Sequence, residues 1–370
     1  MANMVGLDIG TTAVRAVEVA GVDASGFAVV TKIGIASIAE GAVSGGRIKQ
    51  PDQVAIAVVR ALKEAGLPRY GLVVGTAHPD LALAKMLIPA SVRKEERTSA
   101  VRALGRSIAP TFTLDESDLS SSLVSVDQSN DGIATATVDI VAVMRTELEQ
   151  LRTVFKLARL APRAVDLTGG ALLRSLTRAN PAYGEVGTVV DLGASKITVA
   201  TRQGLHLRSL RTALGGGSDL TRAISNITGE SFEDAEQKKF GMRLISPTAR
   251  ASSSYVDEEF GARLTSPVDD ALLNAVDLLV DTIAQSIESD AANHGSYTQG
   301  VTLCGGTALL RGLKDRLQAR VGVPVAIGRP WAEIERSKRN AAYFRDGMTD
   351  PRVLLSIAPA VGLALWRDPV

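Results

Sequence analysis

The stretch VVDLGASKITVA, residues 189–200, repeats a phrase from the start of the chain, VGLDIGTTAVRAVEV, residues 5–19. Each copy has apolar residues, Asp-x-Gly, two small residues and then alternating apolar positions, which reads as strand, tight turn, strand. Val5-Gly6-Leu7 enters the first turn and Val14 to Val19 leaves it; Thr188-Val189-Val190 and Ile197-Thr198-Val199 do the same for the second. The tip glycines, Gly10 and Gly193, let the backbone turn and let a ligand approach without a Cβ in the way. Successive N–H groups at such a tip form an anion-binding concavity. Thr11, Thr12 and Ser195 add hydroxyl donors, and Asp8 and Asp191 are hard oxygen ligands suited to Mg²⁺, directly or through its waters. One Asp-x-Gly turn is an ordinary hairpin feature. Two copies, each opening a strand-rich unit, predict a polyphosphate held between two turns.

Three further stretches extend this pattern. In LHLRSLRTALGGGSDLTRAI, residues 205–224, Gly215 and Gly216 with Gly217-Ser218 form a turn before a helix, where their N–H groups are candidate anion donors or simply a cap. GVTLCGGTALLRGLKDRL, residues 300–317, gives an apolar strand, the turn Gly305-Gly306-Thr307, and an amphipathic helix; glycines there let a flat ring or a phosphate lie against the backbone. GESFEDAEQKKFG, residues 229–241, carries Glu236-x-x-Lys239, a spacing that puts both side chains on one helix face. That pair by itself reads equally as a surface ion pair.

Composition narrows the function classes. The chain has 370 residues, 45% hydrophobic and 22% charged, enough for two buried cores. A formal net charge of +1 supplies no field for nucleic acid or an acidic membrane. The single cysteine, Cys304, excludes an internal disulfide framework and is expected to be a small core residue in a reducing, cytoplasmic setting. The start of the chain lacks a signal-peptide pattern, and its longest apolar stretch, Val353 to Trp366, is broken by Pro359. Membrane association is therefore expected only through a partner. There is no Gly-Lys pair for a P-loop, and His78, His206 and His294 lack metal-ligand spacing.

In the order Asp-x-Gly-Thr, Asp-x-Gly-x-Ser, Gly-Gly-Thr-x-Leu, the chain resembles the actin, heat-shock and sugar-kinase ATPase superfamily. That resemblance implies an α/β, duplicated actin-like (ribonuclease H-like) ATPase fold closing on Mg-ATP. Residue by residue, Asp8, Gly10, Thr11 and Thr12 match its first phosphate loop, Asp191, Gly193 and Ser195 its second, and Gly305, Gly306 and Thr307 its adenosine loop. Glu236 and Lys239 match the pair that brackets adenine and ribose. AVDLTGGALLRSL, residues 164–176, and LSIAPAVGLAL, residues 355–365, match the two crossing helices at the hinge. Where hydrolytic members carry Glu or Gln to orient water, this chain has Thr168. A hydroxyl is a poor base, and Asp166 lies two residues away. Catalytic candidates are thus limited to Asp8, Asp191 and Thr168, with ATP hydrolysis expected to be slow or absent.

Residues 79–162 read as a small inserted α/β module: strand, charged helix, two strands joined by a short turn at Gln128 to Gly132, then helix. With its Ile-Pro, Ile-Ala-Pro and LARLAPRAVDL segments, the module resembles the insert of the PilM family of type IV pilus assembly proteins; FtsA, a cell-division relative, carries an insert at the same place. The resemblance implies a first actin-like domain at 1–78, continued by 163–182 and 354–370. A second domain would occupy 183–219 and 300–353, with a small lobe at 220–299 that includes the polar connection 248–268. The implied function is a cytoplasmic ATP-binding scaffold, peripheral to the inner membrane. It would hold the cytosolic amino-terminal tail of a single-span, PilN-like inner-membrane pilus protein, with self-association open. The resemblance also matches a basic residue of the first hairpin to Arg15, which otherwise reads as a solvated strand residue. Two alternatives stand beside it. An FtsA-like polymerising scaffold is disfavoured because no amphipathic helix follows the second crossing helix. A sugar-kinase-like phosphotransferase is disfavoured by the lack of a clear catalytic Asp facing a substrate pocket.

Overall fold

The computed structural model describes residues 4–23, 28–93, 96, 99, 117–128, 134–176, 184–204, 206–242, 244, 267–330, 333–334 and 351–367. The first turn joins β1 (Met4–Ile9) to β2 (Ala13–Val22), followed by β3 (Ala28–Ser37). A small ribbon, β4 (Val43–Ser44) with β5 (Arg47–Ile48), leads into helix α1 (Pro51–Glu64) and strand β6 (Leu72–Thr76). Next come β7 (Ala82–Pro89), β8 (Ser117–Gln128), β9 (Ala134–Met144), helix α2 (Arg145–Ala158), β10 (Ala164–Leu167) and helix α3 (Thr168–Leu176). The second repeat runs β11 (Val186–Leu192), β12 (Lys196–Gln203), β13 (His206–Leu214), then helices α4 (Gly217–Thr228), α5 (Phe232–Gly241) and α6 (Pro267–His294). It continues through β14 (Val301–Cys304), α7 (Leu313–Val321) and β15 (Val325–Ile327), and the chain closes with β16 (Glu333–Ile334), α8 (Pro351–Ser356) and α9 (Ala358–Ala364).

The internal repeat is visible in the sheets. One has the order β10-β6-β1-β2-β3-β16 and the other β13-β12-β11-β14-β15. In each, an antiparallel meander of three strands is extended by two parallel strands beside its first member. Both turns close with the same bond: Gly10 N–H donates to Ala13 O and Gly193 N–H to Lys196 O, each at 3.0 Å. Because β1 and β11 are central and buried, both Asp-x-Gly turns emerge at the carboxyl ends of central strands, where open α/β sheets place their ligands.

Hydrophobic periodicity explains the layers. Val54, Ala57, Val58 and Ala61 on α1 bury against Leu7 and Leu72 of the first sheet and against Leu151, Val154 and Phe155 of α2. The last helix of the stretch read as the insert thus shares the first domain's core. The opposite sheet face is covered by Ile357, Ala360 and Val361 around α9. In the second half one core joins Val190, Ile197 and Leu303 to Leu220 and Ile224 of α4 and to Val276 and Ile283 of α6. The two-residue strand β16, within the stretch read as second domain, pairs with Val29 and Val30 of the first sheet.

The crossing helices α3 and α9 meet through small residues, as their composition predicts. A Cβ on Gly362 would lie 1.8 Å from Ala171 O, and one on Gly6 would lie 1.9 Å from Ala360 O. The module's described strands form a separate sheet, β7-β9-β8. Most of its charged helix, most of its hairpin turn at Gln128 to Gly132 and most of the polar connection 248–268 lie outside the described residues. No helix among the described residues is long and apolar enough to cross a membrane.

Candidate nucleotide cleft

The two repeated turns face each other across one cleft of about 460 Å³. Asp8, Gly10, Thr11 and Thr12 line it from the first turn, Asp191 and Gly193 from the second, Gly305, Gly306 and Thr307 from the third, and Glu236 from α5. Ser195 does not line the floor but latches the tips together, its Oγ 2.5 Å from Thr11 Oγ1. Thr307 ties the third turn to the second by donating to Gly193 O at 3.4 Å.

The two carboxylates set the electrostatics. Asp8 and Asp191 are 7% and 9% exposed. Burial, and then the neighbouring charge of Asp8, push the Asp191 pKa up to about 6, with Lys196, Arg15 and the Cys304 thiol opposing. Arg15 stands beside Asp8, Nη1 to Oδ2 at 3.7 Å, and its Nε donates to Ser356 Oγ at 2.7 Å. Arg15 is therefore a cleft residue and a link from the first turn to α8, rather than a solvated strand residue. Cys304 is buried, and its thiol is pushed well up by that burial and by Asp191, consistent with a core role.

Third-turn geometry separates two glycines. Gly305 has φ +87°, and a Cβ there would stand 2.5 Å from both Asp191 Oδ1 and Leu192 O. Gly306 has its nearest neighbour at 3.9 Å, Arg352 O, so it leaves an open cradle on the cleft wall. Beside that wall Arg352 stacks on Phe240, 4.2 Å from the ring centroid.

Other predicted site residues are placed elsewhere. The N–H groups of Gly215, Gly217 and Ser218 are engaged by Ser195 O, Gly193 O and Ala194 O, and Gly216 N–H donates to Asp219 Oδ2. Gly215 and Gly216 therefore brace the second turn from behind instead of offering donors to an anion. Lys239 is 1% exposed; its Nζ donates to Gly217 O at 3.0 Å, Thr221 Oγ1 at 2.9 Å and Glu236 Oε2 at 2.6 Å. Burial lowers its pKa, against the raising effect of Glu236. It orients Glu236 from beneath the cleft. Thr168 is 1% exposed, its Oγ1 has no hydrogen-bond partner, and it abuts Gly75 rather than the cleft. Asp166 is committed to an ion pair with Arg174.

Sequence reading missed Lys196, Phe240 and Arg352, all of which line the cleft. Two signals were present: a cation directly after Ser195, and a phenylalanine directly after Lys239 in a chain that is only 4% aromatic.

The residues present fit a magnesium nucleotide. No group of three or more His, Cys, Asp or Glu among the described residues forms a protein-only metal site. Two carboxylates with space for phosphate oxygens and water is how Mg²⁺ is ordinarily held in nucleotide sites. The open face of Gly306 offers a surface for a flat ring.

A family model described as Type IV pilus assembly protein PilM matches residues 6–367. The cell division protein FtsA of Streptococcus pneumoniae serotype 2 (strain D39 / NCTC 7466) is 28% identical over 187 residues, which is 50% of this chain and 40% of that protein. The chain thus spans well under two thirds of that curated relative. Among solved structures, a PilM-PilN type IV pilus biogenesis complex is similar at TM-score 0.75 and 20% identity, covering 98% of each chain. MreB5 of Spiroplasma citri bound to ADP gives a TM-score of 0.53 at 14% identity over 99% of this chain and 96% of that one. EutJ, an ethanolamine utilization protein from Carboxydothermus hydrogenoformans, gives 0.51 at 15% identity over 99% and 90%. The duplicated actin-like fold implied by the resemblance is borne out.

Proposed function

The chain belongs to the type IV pilus assembly protein PilM family, and from that premise we propose that it is an ATP-binding scaffold of the pilus inner-membrane platform. The observation that carries the nucleotide reading is the cleft itself, with two Asp-x-Gly turns, an open glycine cradle and two buried carboxylates on one space. Asp8 and Asp191 would hold Mg²⁺, directly or through water. Gly10, Thr11, Thr12 and Gly193 would hold the phosphates, and Gly306, Glu236 and Phe240 the nucleoside. Magnesium would supply charge neutralisation at the phosphates. Lys239 keeps Glu236 in place and Arg15 joins the first turn to α8. With Thr168 sealed off, turnover is slow.

The partner is the cytosolic tail of a single-span, PilN-like membrane protein, a reading supported by the likeness to a PilM-PilN complex. The chain reaches the inner membrane through that tail. Such a tail binds in extended form, with backbone pairing and a few apolar anchors. Nucleotide alters tail affinity only insofar as it binds one domain arrangement better than the other. Calorimetric titration of the tail peptide of the single-span protein encoded beside this chain, with and without Mg-ATP, tests both halves. Saturable binding that shifts with nucleotide is expected, and no binding in either condition removes the scaffold reading. The partial likeness to FtsA favours self-assembly as the second reading; light scattering that rises with Mg-ATP would support it.

A further inference from the structure

Behind the first turn lies a second cavity of about 40 Å³, lined by Gly10, Thr11, Thr76, His78, Glu147 and Lys196 among others. Gly10, Thr11 and Lys196 also line the large cleft, so the turn that would hold the phosphates walls both spaces. A water needs roughly 10–15 Å³ of such space and two or more polar partners. Both requirements are met here.

One polar partner is buried and without a hydrogen bond, and the other is a partly buried carboxylate beside it that also faces Arg47. His78 is 4% exposed, and its Nδ1 accepts the Asp80 N–H at 3.1 Å, which leaves the ring proton on Nε2. That Nε2 is buried without a hydrogen-bond partner. Glu147 Oε1 stands 3.2 Å away but too poorly aligned to accept from it directly. A buried N–H and a nearby carboxylate that do not satisfy each other, on the wall of a cavity of this size, are the two ends of a water site. Burial also holds the Glu147 carboxyl above the usual carboxylate range, with Arg47 opposing, Asp80 adding and Lys49 opposing.

We propose that this cavity holds the water that hydrolyses a bound nucleoside triphosphate, with His78 as the positioning residue and Glu147 as the general base. The inference rests on the nucleotide reading of the large cleft. The water oxygen bonds to the terminal phosphorus while the bond from that phosphorus to the bridging oxygen breaks, and the water proton passes to Glu147. Inorganic phosphate and the nucleoside diphosphate leave, and Glu147 returns its proton to solvent. This assigns the base role to the start of α2, in place of Thr168 at the start of α3.

The test uses the full chain. Mg-ATP affinity is measured by calorimetry, and labelled-phosphate release is followed over hours, for the wild type, Glu147→Gln and Glu147→Asp. Unchanged affinity is expected throughout, with release reduced by about 10²-fold or more in Glu147→Gln and by less in Glu147→Asp. The Asp variant also serves if the Gln variant does not fold. Wild-type release should rise with pH through the raised Glu147 pKa, and that limb should flatten in Glu147→Gln. The groups facing Glu147 are His78, Asp80, Arg47 and Lys49; burial lowers the His78 pKa, with Asp80 opposing. A crystal structure with a non-hydrolysable ATP analogue should show a water bonded to both His78 Nε2 and Glu147. Equal release by wild type and Glu147→Gln, no release from wild type that binds Mg-ATP, or a cavity with no water there would each overturn the proposal. Failure of the wild type to bind Mg-ATP at all would instead overturn the nucleotide reading, and this inference with it.

Discussion

The hydroxyls of Thr11 and Ser195, 184 residues apart in sequence, meet at 2.5 Å where the two repeated turns touch. The bond ties the turn of the first repeat to the turn of the second. A side-chain bond of this kind contributes about 0.5–1.5 kcal/mol net. Thr11→Val and Ser195→Ala should each lower stability by that order, and the double variant should cost little more than either single one. Urea denaturation of the four proteins checks this; strictly additive losses would mean that the two hydroxyls do not act on each other.

Asp191 should be a liability to the free protein and a requirement for the loaded one. Its pKa is raised from 3.8 to about 6 by burial and by Asp8. Between those values the folded chain binds a proton that the unfolded chain has released, so this group's contribution to stability falls as pH rises and the penalty is complete above about 6. Asp191→Asn is expected to stabilise the nucleotide-free protein at pH 7.5 by on the order of 2 kcal/mol. The same variant should lose Mg-dependent ATP binding. In the wild type, Mg-ATP affinity should weaken below about pH 6, where the carboxyl takes up its proton. A calorimetric series from pH 5 to 8 reads this out, and a flat profile would count against Asp191 as a metal ligand.

Gly305 and Gly306 are neighbours with opposite expected responses to alanine. At Gly305 the left-handed backbone and a Cβ at 2.5 Å from Asp191 Oδ1 force the turn to move. Gly305→Ala should therefore destabilise the fold by about 2 kcal/mol or more. At Gly306 the space is open, so Gly306→Ala should fold normally and narrow the cradle, weakening nucleotide binding by roughly tenfold while the Tm stays put. Equal effects of the two substitutions on both measurements would refute the cradle.

Lys239 offers a prediction about structure masquerading as binding. Its ammonium is buried under three acceptors, one of them Glu236, which is 42% exposed at its side chain. Lys239→Met should cost about 2–3 kcal/mol, below the range for a fully buried pair because Glu236 can reach water. Nucleotide affinity should fall only through misplacement of Glu236. If Lys239→Met keeps full stability and loses binding, Lys239 touches the ligand after all.

The paired turns were legible because a turn glycine, a flanking carboxylate and alternating apolar residues are all local signals, and the chain writes them twice. Burial and partner choice were not legible. The Glu236-x-x-Lys239 spacing correctly put both side chains on one face, where they pair at 2.6 Å, yet nothing in the spacing says that the lysine sinks to 1% exposure under α4. Gly215 and Gly216 read as a turn, but which carbonyls would take the N–H groups around them depends on β11 and β12 being next door. Thr168 was placed correctly at the start of a crossing helix, whereas the direction of its hydroxyl, toward Gly75, is set by packing. Glu147 looked like any acidic first-turn residue of an amphipathic helix; only the fold brings it to His78.

The contact of Gly362 with Ala171 sets how closely the two crossing helices pack. With backbone against backbone and no side chain between them, any residue larger than glycine at 362 would push α9 away from α3. Because α9 covers the first sheet and α3 packs on Val189 and Leu210 of the second, a push at that one contact is passed to both halves at once. Leu83 of β7 packs against the cluster of Leu172, Leu176 and Leu210, so the sheet of β7, β8 and β9 is anchored beside α3 and β13.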